Sequence, residues 1–145
     1  MLTFNNLGNL GRLANQMFQY ASLKGIARKH GYDYVIPPLE MFGQNDPLVR
    51  ESTLNIYNVF NIGKNNNINV VRNPMLQERM HEFDKELFES CPDNVDLYGY
   101  YQSPKYFDHI KDEIKSDFTF SDEVESLCSE MFETIKDGKK VIALH

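Results

Sequence analysis

The sequence predicts an α/β fold with parallel strands, and its N-terminal quarter carries the pattern. A short apolar segment, LTF at residues 2–4, precedes a loop rich in Asn and Gly at residues 5–11. A helical pattern then runs from Leu13 to Gly31, and the alternating segment YDYVIP follows at residues 32–37. A strand, a loop, a helix and a second strand in this order form the opening unit of a layered α/β fold.

Composition limits the class of protein. The chain has 145 residues, the length of one domain, with 41% hydrophobic and 25% charged residues, as in soluble globular proteins. The net charge of −6 without a long basic run argues against nucleic-acid binding. No apolar run approaches the ~18 residues that span a bilayer. The N-terminus lacks a secretory pattern, so we expect a cytoplasmic protein, at most peripheral to a membrane.

The two cysteines, Cys91 and Cys128, are far apart in the sequence. Without a secretion signal, we expect both thiols to be reduced. No paired Cys or His spacing indicates a metal site, so we predict none.

The first predicted helix has an apolar stripe that Lys24 interrupts. The stripe consists of Leu13, Met17, Tyr20 and Ala27. Gly31 is expected to end the helix, because glycine adopts the left-handed conformation of a C-terminal cap without strain. The basic residues just before Gly31 suit the negative end of the helix dipole.

The middle of the chain, residues 39–96, has no clean period. TLNIYNVFNI fits a strand or a short helix, GKNNNI a polar turn, and NINVV a further strand. The segment at residues 78–90 mixes charged and aromatic residues, and we expect it to be partly irregular.

Order returns with DLYGYY at residues 96–101, which alternates as a strand. Ser103 is predicted to cap a following helix that has Pro104 at its first position. Ser121 is predicted to cap a last helix, which Gly138 closes. The apolar face of this helix consists of Val124, Leu127, Cys128, Met131 and Ile135.

The final segment, KKVIALH at residues 139–145, has the continuous apolar character of a buried parallel strand. Nothing follows it to cover the strand. We therefore expect the chain to be truncated.

Three segments resemble glycosyltransferase family 11, the α-1,2-fucosyltransferases. GRLANQMFQYA at residues 11–21 matches the family's N-terminal signature, except that Ala14 replaces a glycine and adds one methyl at a site we expect to be close-packed. LYGYYQSPKYF at residues 97–107 resembles a second family segment. VIALH at residues 141–145 resembles the strand that introduces the family's H-x-R-R-x-D motif, whose arginines are missing here.

The resemblance implies a Rossmann-like N-terminal domain of a GT-B glycosyltransferase. Residues 1–138 would form the acceptor-side domain, and residues 139–145 the first strand of a missing nucleotide-sugar-binding domain. The implied reaction transfers fucose from GDP-fucose to a galactoside hydroxyl, with inversion and without a metal. The implied partners are a nucleotide sugar and a glycan acceptor, with no other cofactor. A second polypeptide carrying the missing half is a further possible partner, and we expect this chain alone to be incompetent.

The expected site lies around the start of the first helix. The resemblance assigns Arg12, Asn15 and Gln16 to substrate binding, since an Arg fork and side-chain amides suit diphosphate oxygens or sugar hydroxyls. Gly8 and Gly11 would let the backbone approach a phosphate or sugar. Without the resemblance, these residues fit better a helix N-terminus whose Asn and Gln side chains satisfy backbone groups.

Further candidates come from other segments. Gln102, at the end of a predicted strand, and His145 complete the predicted substrate-binding set. Lys105 fits a solvated first-turn residue better than a phosphate contact. No catalytic residue is identified, because four acidic residues are indistinguishable as general base: Glu78, Glu82, Asp84 and Asp96.

Two other functions remain open. The chain fits a non-catalytic carbohydrate-binding module or the partner of a split enzyme. It also fits a fragment of a dinucleotide-binding oxidoreductase, although it lacks G-x-G-x-x-G and an acidic residue at the end of the second strand.

Overall fold

A computed structural model describes residues 1–43, 54–138 and 140 of the chain. Its centre is a parallel sheet with strands in the order β2-β1-β4-β3. The strands are β1 (Leu2–Thr3), β2 (Tyr34–Val35), β3 (Met75–Gln77) and β4 (Asp96–Tyr98). The predicted α/β class with parallel strands is confirmed, and the arrangement is Rossmann-like.

Six helices accompany the sheet within these residues. They are α1 (Leu13–His30), α2 (Ile56–Val59), α3 (Ile62–Asn65), α4 (Lys85–Ser90), α5 (Lys111–Asp117) and α6 (Asp122–Lys136). Three 3-10 turns occur at Leu39–Met41, Pro104–Tyr106 and Asp108–Ile110. In the parts of the chain that the structure describes, no helix combines the length and apolar character needed to cross a bilayer.

Helix α1 is the centre of the core. It ends as predicted at Gly31, whose φ is 69° and whose N–H donates to the carbonyls of Ala27 and Arg28. The buried surface of the helix extends beyond the predicted stripe. Strands β1 and β2 contact it, and so do the two 3-10 turns at residues 104–110. Gly25 permits the closest approach: a Cβ at this position would lie 2.1 Å from the Tyr106 carbonyl oxygen.

The middle of the chain differs from the sequence-based expectation. TLNIYNVFNI contains α2 and the start of α3, and Asn55 caps α2 by accepting from the N–H groups of Tyr57 and Asn58, both at 3.0 Å. Part of the predicted turn GKNNNI continues α3. NINVV forms only an isolated bridge, between Ile68 and Ile36, instead of a strand.

Strand β3 was not predicted. Its side chains at Met75 and Gln77 are exposed and only Leu76 is partly covered, so the sequence has no strong apolar alternation there. The expected irregular segment at residues 78–90 ends in α4, which Asp84 caps by accepting from the Leu87 N–H.

The C-terminal helices follow the prediction in part. Ser121 caps α6 as predicted, because its Oγ accepts from the Val124 N–H. Ser103 stands at a cap position, but its side chain makes no capping bond, and the predicted helix begins with two 3-10 turns before α5. Residues 139 and 141–145, with the predicted last strand, lie outside the described residues, so the domain boundary stays a prediction.

Candidate functional site

The carboxyl ends of the two central strands define the candidate site. β1 leads into the glycine loop at residues 5–11, and β4 leads into the segment at residues 99–103. Strand β2, which follows β1 in the chain, lies on one side of β1 in the sheet, whereas β4 and β3 lie on its other side. In open parallel sheets, ligands bind outside the carboxyl ends of strands where the order reverses in this way.

The glycine loop is held in shape by its own neighbours. Gly8 and Gly11 have φ values of 80° and 78°, which strain any other residue. A Cβ at Gly8 would lie 2.2 Å from the ring of Phe42, and one at Gly11 would lie 2.0 Å from Nδ2 of Asn15. Both positions therefore require glycine for internal reasons, and backbone approach to a phosphate or sugar stays a prediction.

The two predicted motifs contact each other, and one of these contacts joins two predicted site residues. Nε2 of Gln102 donates to Oδ1 of Asn15 at 2.5 Å, although the residues are 87 positions apart in the chain. Asn15 belongs to the first turn of α1, and Gln102 follows β4. Because Gln102 is exposed and Asn15 partly so, the pair offers amide groups at the surface of the crevice.

Gln19 connects the two loops beneath this pair, and it was not among the predicted site residues. Its Nε2 donates to the carbonyls of Leu10 at 3.0 Å and Gly99 at 3.2 Å, and the side chain is fully buried. The only signal in the sequence is its position one helical turn after Asn15. Gln19 fixes the distance between the glycine loop and the segment after β4.

Arg12 is a cation at the start of α1, directly after the glycine loop. It stands at the N-cap position of α1 with an extended backbone, and its side chain is exposed. Within residues 1–43 and 54–138, no carboxylate pairs with its guanidinium, and the first turn of α1 has no acidic residue. Arg12 is therefore available to an anion.

Other predictions fit the structure less well. Gln16 is fully buried and its Oε1 accepts from the Ile56 N–H at 3.1 Å, which does not fit the predicted direct contact with a substrate. Ala14 is exposed, so its extra methyl does not lie at a close-packed site, contrary to expectation. His145 lies outside the described residues.

A pocket of about 400 Å³ opens between the segments that follow β3 and β4, and Leu10 of the glycine loop borders it. Its size is within the range of small-ligand sites, roughly 300–1,000 Å³. Its wall combines polar, aromatic and apolar residues: Leu10, Gln77, Glu78, Arg79, Met80, His81, Tyr98, Gly99 and Tyr100.

Glu78 shapes one wall of this pocket. Its Oε2 accepts from the N–H groups of Tyr100 at 2.9 Å and Tyr101 at 3.0 Å. Tyr101 has a positive φ of 51°, which is uncommon for a residue other than glycine. The carboxylate thus stabilises the bend that carries Gln102 toward Asn15.

The structure separates the four acidic residues that the sequence left equivalent. Asp96 accepts from Thr3 Oγ1 at 2.7 Å and from the Asn5 N–H at 2.8 Å, so it joins β4 to the end of β1.

Asp84 is buried, and Arg79 holds the pKa of its carboxyl below the usual range by hydrogen bonding. Glu82 is exposed and does not line the pocket, whereas Glu78 does.

The positive charge of Arg79 is already compensated. Its Nε donates to Asp84 Oδ2 at 2.6 Å, and its Nη1 donates to Glu86 Oε2 at 2.8 Å. Hydrogen bonding to these carboxylates raises the pKa of Arg79, so the guanidinium stays charged and paired. Among the residues that the structure describes, no cluster of three His, Cys, Asp or Glu side chains is arranged to hold a metal ion.

Sequence comparison gives one similarity to a characterised enzyme. The chain is 31% identical over 116 residues to galactoside alpha-(1,2)-fucosyltransferase 2 of Sus scrofa, which covers 79% of this chain and 31% of that protein. The chain thus spans about a third of the length of this relative. No protein-family model matches the chain, and no solved structure matches it significantly. At this identity and coverage, the similarity supports a relationship to fucosyltransferases, though only weakly.

Proposed function

We propose that this chain is the acceptor-side part of a glycosyltransferase that transfers fucose from GDP-fucose to a galactoside hydroxyl in α-1,2 linkage. The observation that carries the proposal is the contact between Asn15 and Gln102, because it joins the two segments that resemble fucosyltransferases at one edge of the sheet. The similarity to the Sus scrofa enzyme supports the same family.

The proposed reaction forms a bond between the acceptor oxygen and C1 of fucose while the bond from C1 to the GDP oxygen breaks. The acceptor proton leaves to a base that we do not assign. GDP departs with the bonding electrons, so its diphosphate needs cations or N–H donors. Arg12 suits this role, since its guanidinium is exposed and has no carboxylate partner among the described residues.

The amide pair suits the other substrate. Side-chain amides both donate and accept, as sugar hydroxyls do. Gln102 and Asn15 each retain hydrogen-bonding groups beyond their mutual bond, and Gln19 holds both loops in place from below. Such positioning of an acceptor lowers the entropic part of the barrier. The proposal includes no metal and no cofactor besides the donor.

One arginine without a carboxylate partner among the described residues is a weak site for a diphosphate leaving group. We therefore propose that further cationic groups, from the same protein or a second polypeptide, complete the donor site. The chain alone is expected to transfer fucose far more slowly than ordinary enzymes, whose turnover is about 1–1,000 per second.

Calorimetry with GDP-fucose and with NAD tests the proposed donor. We expect GDP-fucose to bind and NAD not to bind, and Arg12→Gln to weaken the binding of GDP-fucose about tenfold. Phe132→Ala, an exposed change on α6, serves as the control. Absence of GDP-fucose binding, or equal binding by the Arg12→Gln variant, contradicts the proposed donor site. Fucosylation of a galactoside at ordinary enzyme rates contradicts the incomplete donor site.

A further inference from the structure

We infer that the pocket between the segments following β3 and β4 binds the uncharged sugar ring of the acceptor and does not bind the nucleotide diphosphate. This inference rests on the proposed function, because it assigns one of the two proposed substrates to a place in the fold. Its lining contains none of the predicted substrate-binding residues, but it includes Glu78, one of the four candidate bases, and part of the family-like segment at residues 97–107.

The charge of the wall selects against a diphosphate. Among the described residues that line the pocket, Arg79 is the one Lys or Arg, and its guanidinium already bonds Asp84 and Glu86. Glu78 contributes a carboxylate to the same wall. A diphosphate would approach this carboxylate without an unpaired Lys or Arg to compensate its charge, whereas a neutral ring meets no such repulsion.

The chemistry of the wall suits a pyranose. Tyr98 is partly exposed and Tyr100 is exposed. The pocket therefore has aromatic side chains that can cover the C–H face of a sugar. Gln77 and His81 are exposed polar residues in the same wall, and their groups suit the hydroxyls around the ring. A mixture of apolar surface with a few polar groups is typical of small-ligand sites.

The pocket is connected to the Asn15–Gln102 pair by shared backbone. Leu10 and Gly99 both line the pocket, and the carbonyl oxygens of both accept from Nε2 of Gln19. Gln102 lies three residues beyond Gly99, on the bend that Glu78 stabilises. A ring in the pocket therefore lies beside the loops that carry the amide pair, whereas Arg12 stands at the start of α1.

The wall is also rigid where it forms the bend. Oε2 of Glu78 accepts two consecutive backbone N–H groups, and a Cβ on Gly99 would lie 2.6 Å from Cβ of Glu78. The segments after β3 and β4 are thus in tight contact before any ligand binds. A preformed pocket avoids the cost of ordering a loop on binding.

Titration of ¹⁵N-labelled chain with methyl β-galactopyranoside tests this inference. We expect the largest shifts of amide resonances at Leu10, His81 and Tyr100. Tyr100→Ala should weaken galactoside binding at least fivefold, and Tyr100→Phe should retain it, because the ring supplies the contact. Phe132→Ala, an exposed aromatic on α6 outside the pocket, should bind as the unmodified chain does. GDP at the same concentration should not displace the galactoside.

Several outcomes overturn the inference: no galactoside binding at millimolar concentration, shifts confined to residues outside the pocket, unchanged affinity in Tyr100→Ala, or displacement by GDP. These outcomes differ from failure of the proposed function. If the galactoside binds in the pocket but GDP-fucose does not bind the chain, the sugar site stands and fucosyl transfer is contradicted. If the affinity for GDP-fucose depends on Arg12 but the affinity for the galactoside is unchanged in Tyr100→Ala, the donor assignment stands and the pocket assignment is wrong.

Discussion

Lys24 Nζ lies 2.6 Å from Asp117 Oδ2, and this ion pair joins α1 to the end of α5. The side chain of Lys24 is 7% exposed and that of Asp117 is 14% exposed, so both charges lie largely below the surface. The hydroxyl of Tyr20 donates to the same carboxylate oxygen at 2.8 Å. The lysine that interrupts the apolar stripe of α1 is therefore a structural residue with a specific partner.

Asp117→Ala should destabilise the fold by about 3 kcal/mol, because it leaves the buried charge of Lys24 without its nearest partner. Glu113, at 3.4 Å from Lys24 Nζ, compensates only in part. Urea denaturation measures the change in the free energy of unfolding. Asp112→Ala, an exposed change on the same helix, is the control. A loss in Asp117→Ala no larger than that in the control contradicts the importance of the pair, whereas adding Lys24→Met should recover part of the loss.

The Arg79–Asp84 pair should give the fold a pH dependence on the acid side. Arg79 lowers the folded-state pKa of Asp84 below that of the unfolded chain. The resulting stabilisation is present above the unfolded pKa and is lost as the pH falls through the folded pKa. Asp84→Asn keeps a good N-cap for α4 but removes this titration. The free energy of unfolding of this variant should therefore fall less steeply below pH 4.

Glu86→Gln is the matched control for that measurement. Glu86 bonds the same guanidinium but is exposed, and exposed ion pairs contribute little to stability, so its replacement should change the free energy of unfolding by less than about 1 kcal/mol. Identical slopes below pH 4 in Asp84→Asn and the unmodified chain would show that Asp84 does not carry the effect.

The two cysteines should react at very different rates. Burial raises the pKa of the Cys91 thiol to about 11, whereas Cys128 is exposed on α6. At pH 8, about one in a thousand Cys91 side chains is then a thiolate, which is the reactive form. In the folded chain, a disulfide reagent should modify one thiol rapidly, and the second should react only in denaturant. Cys128→Ser should abolish the fast phase, and equal rates for both thiols contradict the burial of Cys91.

Local signals made part of the fold predictable. Gly31 ends α1 and Ser121 begins α6 because capping depends on residues within one helical turn of each other. The contact of Asn15 with Gln102 depends on how strands separated along the chain pair in the sheet, and no local pattern contains that information. Strand β3 was missed for a related reason: its stability comes from pairing with β4 rather than from its own apolar pattern.

The same distinction applies to the candidate site. The motif around Arg12 and Asn15 is visible in the sequence because its residues are close together, but the motif does not distinguish the buried Gln16 from the exposed Arg12 and the partly exposed Asn15. In the sequence, Glu78 cannot be distinguished from the other three acidic candidates. In the structure, its two backbone partners in the segment after β4 set it apart. Candidate site residues whose roles depend on long-range contacts can be identified only in the folded chain.

Gly11→Ala should destabilise the fold and disturb the amide pair at the same time. The left-handed backbone alone costs about 1 kcal/mol for a residue with a Cβ, and the added Cβ would also collide with the side chain of Asn15. Gly31→Ala is the matched control, because Gly31 has a φ of 69° but no atom within 4 Å of the added Cβ. Thermal denaturation should show a larger loss for Gly11→Ala, and only this variant should shift the side-chain amide resonances of Asn15 and Gln102. Equal losses with unshifted amides would mean that Asn15 does not lie against the glycine loop.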